Sequence, residues 1–464
     1  MTDLPQYLSE WIATQRWYAG KRRAAQWQML GGFDLVDPQG EARITVHLLL
    51  DESEHPLLYQ VPLTERAIPV PELEHALIGT FGEGDAKRWV YDGPRDPACA
   101  MAILRLILDE GAARPNDGAP GIGARGHSAP SVPALEILNA RVLNGEQSNT
   151  SIIFDMATLD GQPADPVICK VFRSLHDGEN PDVTLLSALG GAGSTVVPQS
   201  VGHITGQWRD SGEPSGFAHG HLAFAQEFFP GVEDAWRVAL RAAEADEDFT
   251  ARAFTLGEAT ADVHLDLAGA LPTQPATAAD IAETIASMRA RFDLAAQEVP
   301  SIEAHRAALQ EVYARAAASP WPVMQRIHGD FHLGQVLSVP DRGWIILDFE
   351  GEPMRPMTER ARADFTLRDV AGMLRSFDYV AGSVAVSHPD RSAAPWASLA
   401  RRSFVDGYIA RSGYDLRANR AVLDAFEIDK ALYEAVYEAR NRPEWLAIPL
   451  AAIGRLAERA AATA

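Results

Sequence analysis

A chain of 464 residues with 63 acidic and 41 basic side chains, a formal net charge of −22, 47% hydrophobic and 22% charged residues has the composition of a soluble globular protein and excludes wholesale disorder. The acidic excess also excludes a general binder of nucleic acid or anionic lipid, which needs a concentrated positive surface. Cys99 and Cys169 stand far apart in apolar settings, so a disulfide framework is excluded and buried thiols in a reducing compartment are expected.

The start, MTDLPQYLSEWIATQRWYAGKRR, has no apolar signal core, and no run approaches the roughly 18 apolar residues of a membrane span, so a cytoplasmic location without a membrane partner is expected. In chain order, ARITVHLLL (42–50) and LLYQVPL (57–63) predict strands, and PACAMAILRLILDEG (97–111) predicts a buried helix. The Gly-, Pro- and Ser-rich stretch ARPNDGAPGIGARGHSAPSVP predicts a linker or loop without a regular element. From about 134 the pattern is LEILNARVL, NTSIIFDMA, PVICKVF, then the helix NPDVTLLSALGG with Pro near its start and Gly-Gly at its end, then strands closing with GHLAFAQEFF. The rest is Ala-rich and helical, interrupted by RIHGDFHLGQ and the short strand GWIILD. The expected architecture is α+β: a cap subdomain over 1–95, a β-rich subdomain over 96–229 and a helical lobe over 230–464, with a nucleotide-binding cleft between the sheet-rich and helix-rich lobes.

Phosphoryl transfer asks a protein to neutralise phosphate charge, hold magnesium and orient the attacking hydroxyl. Asp330, in a loop after an apolar segment, can accept a hydrogen bond from an acceptor hydroxyl and take its proton. Gln335 and Asp348 offer the hard oxygen ligands that magnesium prefers. Lys170, in PVICKVF, projects from the sheet lobe toward nucleotide phosphates. His328 and His332 read as braces of the loop, Asp369 as a further brace, and the histidines lack the spacing of a zinc site. QRWYAGK (15–21) reads as tertiary packing of the cap, and the arginines of the last helices as a solvated face.

HGDFHLGQ followed by ILDFE resembles the catalytic loop and metal-binding Asp of the aminoglycoside-phosphotransferase and choline-kinase-like families, relatives of the protein kinases. Those families usually have HGDxxxxN; Gln335 in the Asn position, with DFEGEP, is similar to the actinobacterial maltokinase-like kinases. QRWYAGK, GEQSNTS, KVF, RDVAGMLRSFDY and YEARNRPEWLAIPL extend the resemblance over most of the chain. It implies a two-lobed eukaryotic-protein-kinase-like fold with an N-terminal cap, ATP as co-substrate and magnesium as cofactor. Residue by residue, it implies Asp330 as the catalytic Asp, Gln335 and Asp348 on the metal, and Lys170 on the α- and β-phosphates. The turn Gly145–Ser151, including Ser148 and Asn149, would cover the phosphates, the backbone of Gln226, Glu227 and Phe228 would meet the adenine, and Asp234 the ribose. The helix glutamate that pairs with the lysine in such kinases is replaced by Thr184, leaving Glu179 and Asp182 as alternatives.

The family phosphorylates either maltose, at position 1, or glucosamine, at position 6. In FEIDKALYEAVYEARNRPEW, helical spacing aligns Glu434, Tyr437, Glu438 and Asn441, with Trp445 beyond, and carboxylates beside an aromatic plane suit an amino sugar. ERARADFTLRDVAG and DAW (234–236) depart from the maltokinase pattern. The expected acceptor is therefore glucosamine, with maltokinase and an inactive kinase-like scaffold as alternatives, and a monomer or weak dimer as the assembly.

Overall fold

The computed structural model describes residues 5–20, 25–53, 56–116, 121–130, 132–143, 148–352 and 355–462. The chain divides into two compact units, Met1–Ser187 with Pro198–Pro230, and Ala188–Val197 with Gly231–Ala464.

The first unit begins with α1 (Gln6–Thr14), β1 (Trp27–Leu35), β2 (Ala42–Asp51), β3 (Leu57–Arg66), β4 (Leu77–Phe81) and β5 (Arg88–Asp92). After α2 (Pro97–Leu108) come β6 (Ala112–Pro115), β7 (Gly123–Ser128), β8 (Leu135–Val142), β9 (Asn149–Thr158), β10 (Pro163–Phe172) and the two-residue β11 (Ser174–Leu175). Helix α3 (Pro181–Gly191) precedes β12 (Ser200–Arg209) and β13 (Phe217–Glu227). The strands form one antiparallel sheet in the order β4-β5-β3-β2-β1-β6-β7-β12-β13-β10-β9-β8, with β11 beside β3.

Local chemistry explains these elements. Alternating β-branched and apolar residues put Ile44, Val46 and Leu48 of β2 in the core, paired with β3 from Ala42↔Arg66 to Asp51↔Leu57. Asp96 caps α2 by accepting from the Ala98 amide, and Pro97 takes the first turn, where its missing N–H costs nothing. The buried Asp96 carboxylate also receives Thr64 Oγ1 at 2.8 Å and the Arg66 guanidinium at 2.8 Å. Trp17 and Tyr18 of the QRWYAGK segment are buried, with Trp17 over the Arg173 guanidinium at 5.0 Å and the Tyr18 hydroxyl donating to Asp51 at 2.9 Å. Lys21 of that segment lies outside the described residues. Cys99 and Cys169 are free and buried.

The stretch after α2 corrects the sequence expectation: it is not a structureless linker, because it contains β6 and β7, which carry the sheet from β1 to β12. Its glycine has a packing role. A Cβ at Gly126 would lie 1.7 Å from the Leu106 carbonyl oxygen, so β7 reaches its place beneath α2 only without a side chain there.

The second unit starts with β14 (Glu233–Asp234), α4 (Ala235–Glu244), α5 (Thr250–Ala270), α6 (Ala278–Glu298) and α7 (Arg306–Ala318). It continues with β15 (Val336–Val339), β16 (Gly343–Ile346), α8 (Met357–Arg360), α9 (Leu367–Ser387), α10 (Ala394–Ser412), α11 (Arg420–Asn441) and α12 (Ala447–Ala462). The three short strands pair in the order β14-β15-β16, and α6 starts with a reciprocal capping box between Thr277 and Asp280. Among the described residues no helix is long and apolar enough to cross a membrane.

Candidate active site

In the second unit, the loop before β15 is held by a single buried carboxylate. Asp369, in the first turn of α9, accepts from the His328 amide at 2.9 Å and the Gly329 amide at 2.9 Å, while His264 Nε2 lies 3.0 Å away. A carboxylate at a helix N-terminus also meets the positive end of the helix dipole. Burial works to raise the Asp369 carboxyl, but the His264 hydrogen bond, the nearby imidazoles and the Gly329 amide outweigh it and hold it below the usual carboxylate range. His328 donates from Nε2 to the Leu347 carbonyl at 2.8 Å, and its Nδ1 receives the Asp330 amide at 3.3 Å. Its ring packs between Phe331 and Phe349. Gly329 has φ +85°, a left-handed turn that glycine adopts without strain, and this turn sets Asp330 beyond the clamp.

Asp330 faces Lys430 of α11, whose Nζ is 3.1 Å from Asp330 Oδ1 and 3.3 Å from Glu352 Oε1. Burial disfavours the Asp330 anion; Lys430 leads the cations that overcome it, so the carboxyl sits below the usual range and is ionised near neutral pH. Lys430 is correspondingly raised, Asp330 and Glu352 outweighing its burial. A cavity of about 20 Å³, room for one water, is lined here by Asp330, Glu352, Asp429, Lys430 and Tyr433. Asp429 is tied to Arg291 at 2.8 Å and Arg368 at 3.3 Å.

Gln335 Nε2 donates to Asp348 Oδ2 at 3.0 Å, so the two residues selected as metal ligands are neighbours. Asp348 has φ +64°, which costs a non-glycine residue energy and which Asp tolerates better than most. The pair offers amide and carboxylate oxygens, a donor set that fits magnesium. His332 turns back on its own loop, its Nδ1 accepting from the Gly334 amide at 3.0 Å.

The face of α11 chosen for the acceptor divides in two. Glu434 is buried against Arg375, whose Nε is 2.9 Å from Glu434 Oε2, and burial pushes its carboxyl above the usual range. Glu438 is buried and receives the Tyr379 hydroxyl at 3.1 Å and Arg442 Nη2 at 2.7 Å. Tyr437 is exposed, Asn441 donates to the Tyr437 carbonyl at 2.8 Å, and Trp445 stacks on Tyr379 with Arg442 over its ring. Asp234 caps α4, accepting from the Arg237 amide at 2.8 Å, and pairs with the Arg237 side chain at 3.4 Å. The helical spacing that selected Glu434 also reaches Lys430, one turn earlier, and Glu352 lies in the DFEGEP motif; reasoning from the sequence passed over both.

In the first unit, Lys170 Nζ pairs with Asp182 Oδ2 at 2.8 Å, and Asp182 is fully buried. This resolves the alternatives for the lysine's partner, because Glu179 instead receives the Thr184 hydroxyl at 3.1 Å. Lys170 stands on β10 opposite Ser151 of β9 and Phe224 of β13. Asn149 opens β9 and Ser148 precedes it, whereas residues 145–147 of the expected phosphate turn lie outside the described residues. At the end of β13 the Glu227 amide donates to the Gln199 carbonyl at 2.9 Å and the Phe228 amide to the Pro166 carbonyl at 2.8 Å. Neither amide is therefore an open donor for a base. The Gln226 Oε1 atom is buried without a hydrogen-bond partner among the described residues, an unusual state for a polar atom unless a ligand donor completes it.

Residues 11–96 match the family model of the maltokinase N-terminal cap domain. The chain is 30% identical over 404 residues to a glucosamine kinase of Streptacidiphilus jiangxiensis, covering 80% of this chain and 86% of that protein. It is 29% identical over 340 residues to a glucosamine kinase of Mycolicibacterium smegmatis, covering 70% and 81%. A solved glucosamine kinase in complex with glucosamine, ADP and inorganic phosphate superposes with a TM-score of 0.67 at 23% identity, covering 98% of this chain and 100% of that one. The fold is thus kinase-like, with an antiparallel N-terminal sheet, a cap and a helical C-terminal part, and by its identity over nearly the whole of a curated relative the chain belongs to the glucosamine kinase family.

Proposed function

We propose that this protein is an ATP-dependent sugar kinase that transfers the γ-phosphoryl group of ATP to a hydroxyl of glucosamine, giving glucosamine 6-phosphate and ADP. The observation that carries the reading is Asp330: a half-buried, ionised carboxylate on a loop pinned by Asp369, in the same unit as the Gln335–Asp348 oxygen pair. Asp330 receives the hydrogen bond of the acceptor hydroxyl and takes its proton as the oxygen bonds to the γ-phosphorus and the bond to the ADP oxygen breaks. Bound at Gln335 and Asp348, magnesium would neutralise phosphate charge. Lys170, held by Asp182, neutralises the α- and β-phosphates, and the backbone of Gln226 meets the adenine base. Ser148, Asn149, Glu227, Phe228 and Asp234 remain the further nucleotide-facing positions, with Glu434, Tyr437, Glu438, Asn441 and Trp445 around the sugar.

Both curated relatives named above are glucosamine kinases, while the maltokinase family model that matches covers residues 11–96, the cap. This favours glucosamine over maltose as the acceptor. Two buried free thiols favour the cytoplasm, where the enzyme would act as a monomer or weak dimer. The test offers ATP and magnesium with glucosamine, maltose or glucose in turn and identifies the product by NMR. Glucosamine 6-phosphate is expected as the main product; maltose 1-phosphate would replace the acceptor assignment, and no product from any sugar would leave a non-catalytic scaffold.

Lys430 supplies a pH prediction. The active form of Asp330 is the anion, so kcat/KM falls as pH falls through the Asp330 pKa of the free enzyme. Lys430 lowers that pKa; in Lys430→Met burial acts with less opposition, the pKa rises, and the acid limb of the kcat/KM profile moves to higher pH. An unmoved limb would show that another group controls it.

A further inference from the structure

Many arginines of the last helices are solvated as expected, among them Arg402, Arg411, Arg440 and Arg455, but several of the late arginines also converge. Seven arginines line a cleft of about 790 Å³ among α9, α10 and α12, within the roughly 300–1,000 Å³ of small-molecule sites. Its lining residues are all different from those of the cavity at Asp330. One part is apolar and made largely of small side chains, including Ala381, Ala385, Ile448 and Ala451. The other part carries Arg375, Arg401, Arg402, Arg417, Arg420, Arg455 and Arg459.

Such clusters are often balanced ion-pair networks, and this one is not. Asp378 is shared by three guanidinium groups, Arg375 Nη1 at 2.6 Å, Arg401 Nη1 at 3.1 Å and Arg455 Nη2 at 2.7 Å. Asp424 is shared by Arg420 at 2.7 Å and Arg459 at 2.5 Å, and Glu427 by Arg401 at 2.7 Å and Arg420 at 3.4 Å. Arg375 also reaches Glu434 at 2.8 Å, while Arg402, exposed on α10, has no hydrogen bond or ion pair among the described residues. With Arg417 paired to Asp406, the seven guanidinium groups share five carboxylates, a surplus of two positive charges beside an apolar trough on a chain of net charge −22. Burial, against the pull of Asp424, depresses the Arg459 guanidinium, and Arg420 and Arg401 add to that effect.

A phosphate monoester carries about −1.5 to −2 charges at neutral pH and accepts paired hydrogen bonds from guanidinium groups. We propose that this cleft binds an organic phosphate monoester with an apolar body, the phosphate among the arginines and the body along the alanine-rich part. The cleft shares no lining residue with the cavity at Asp330, and the proposal stands whether or not the kinase reading holds.

The test is calorimetric titration of octyl phosphate into the full-length protein, with excess ADP and magnesium present so that a nucleotide site does not contribute. Saturable binding is expected, with inorganic phosphate and octanol each at least about tenfold weaker. Arg402→Glu should weaken octyl phosphate about tenfold or more, and Ala451→Trp, which fills the trough from an exposed position of α12, should abolish binding. Circular dichroism checks the fold of both variants; should the tryptophan variant misfold, Arg402→Glu decides alone. The proposal is overturned by absence of binding at millimolar octyl phosphate. It is equally overturned by affinity that Arg402→Glu leaves unchanged, or by phosphate or octanol binding as tightly as the ester.

Discussion

Asp330→Asn is expected to lower kcat for glucosamine about 10³-fold while changing ADP affinity less than about twofold. Asparagine keeps the size and the loop contact but cannot take a proton from the acceptor hydroxyl. It also removes the anion that Lys430 now holds at 3.1 Å, so the ammonium retains only Glu352 at 3.3 Å as a carboxylate partner from this loop region. Steady-state kinetics with calorimetric ADP binding separate the two effects. Turnover within about tenfold of the unmodified enzyme would remove Asp330 from the proton-accepting role.

Asp369→Ala is expected to release the whole loop. Two backbone amides and the His264 ring lose their shared acceptor at once. Removing one partner of buried polar groups costs about 1–3 kcal/mol for each group left unsatisfied, so for three groups at least about 3 kcal/mol of local stability should go. The His328, Gly329 and Asp330 amides should then exchange with solvent at least about 10²-fold faster, each factor of ten corresponding to about 1.4 kcal/mol. Turnover should fall with the loop order. Exchange within about threefold of the unmodified protein would mean that His328, through the Leu347 carbonyl at 2.8 Å, holds the loop without Asp369.

The two experiments separate chemistry from scaffolding. A loop that stays protected with dead chemistry is the expected signature of position 330, and a loop that opens is that of position 369.

Much of this was legible in the chain. HLGQ and ILDFE placed Gln335 beside Asp348 because a two-stranded hairpin joins them, so few residues separate cause and effect. The strand and helix order from 135 to 227 followed from alternation and from the Pro and Gly marks around α3. Composition failed after α2, where glycine signalled a close approach to a helix rather than a loop.

What the amino-acid sequence determined by itself was local: which segments become strands or helices, which residue types could take a proton, bind a cation or touch phosphate, and which family the motifs belong to. The tertiary structure decided the partners. Asp182 rather than Glu179 meets Lys170, Lys430 reaches Asp330 across 100 positions, Glu434 turns to Arg375, and the late arginines converge on a cleft. Periodicity says which face of a helix a side chain occupies, but which carboxylate a buried cation meets depends on how distant elements pack, because a buried charge is stable only where the fold brings it an opposite one.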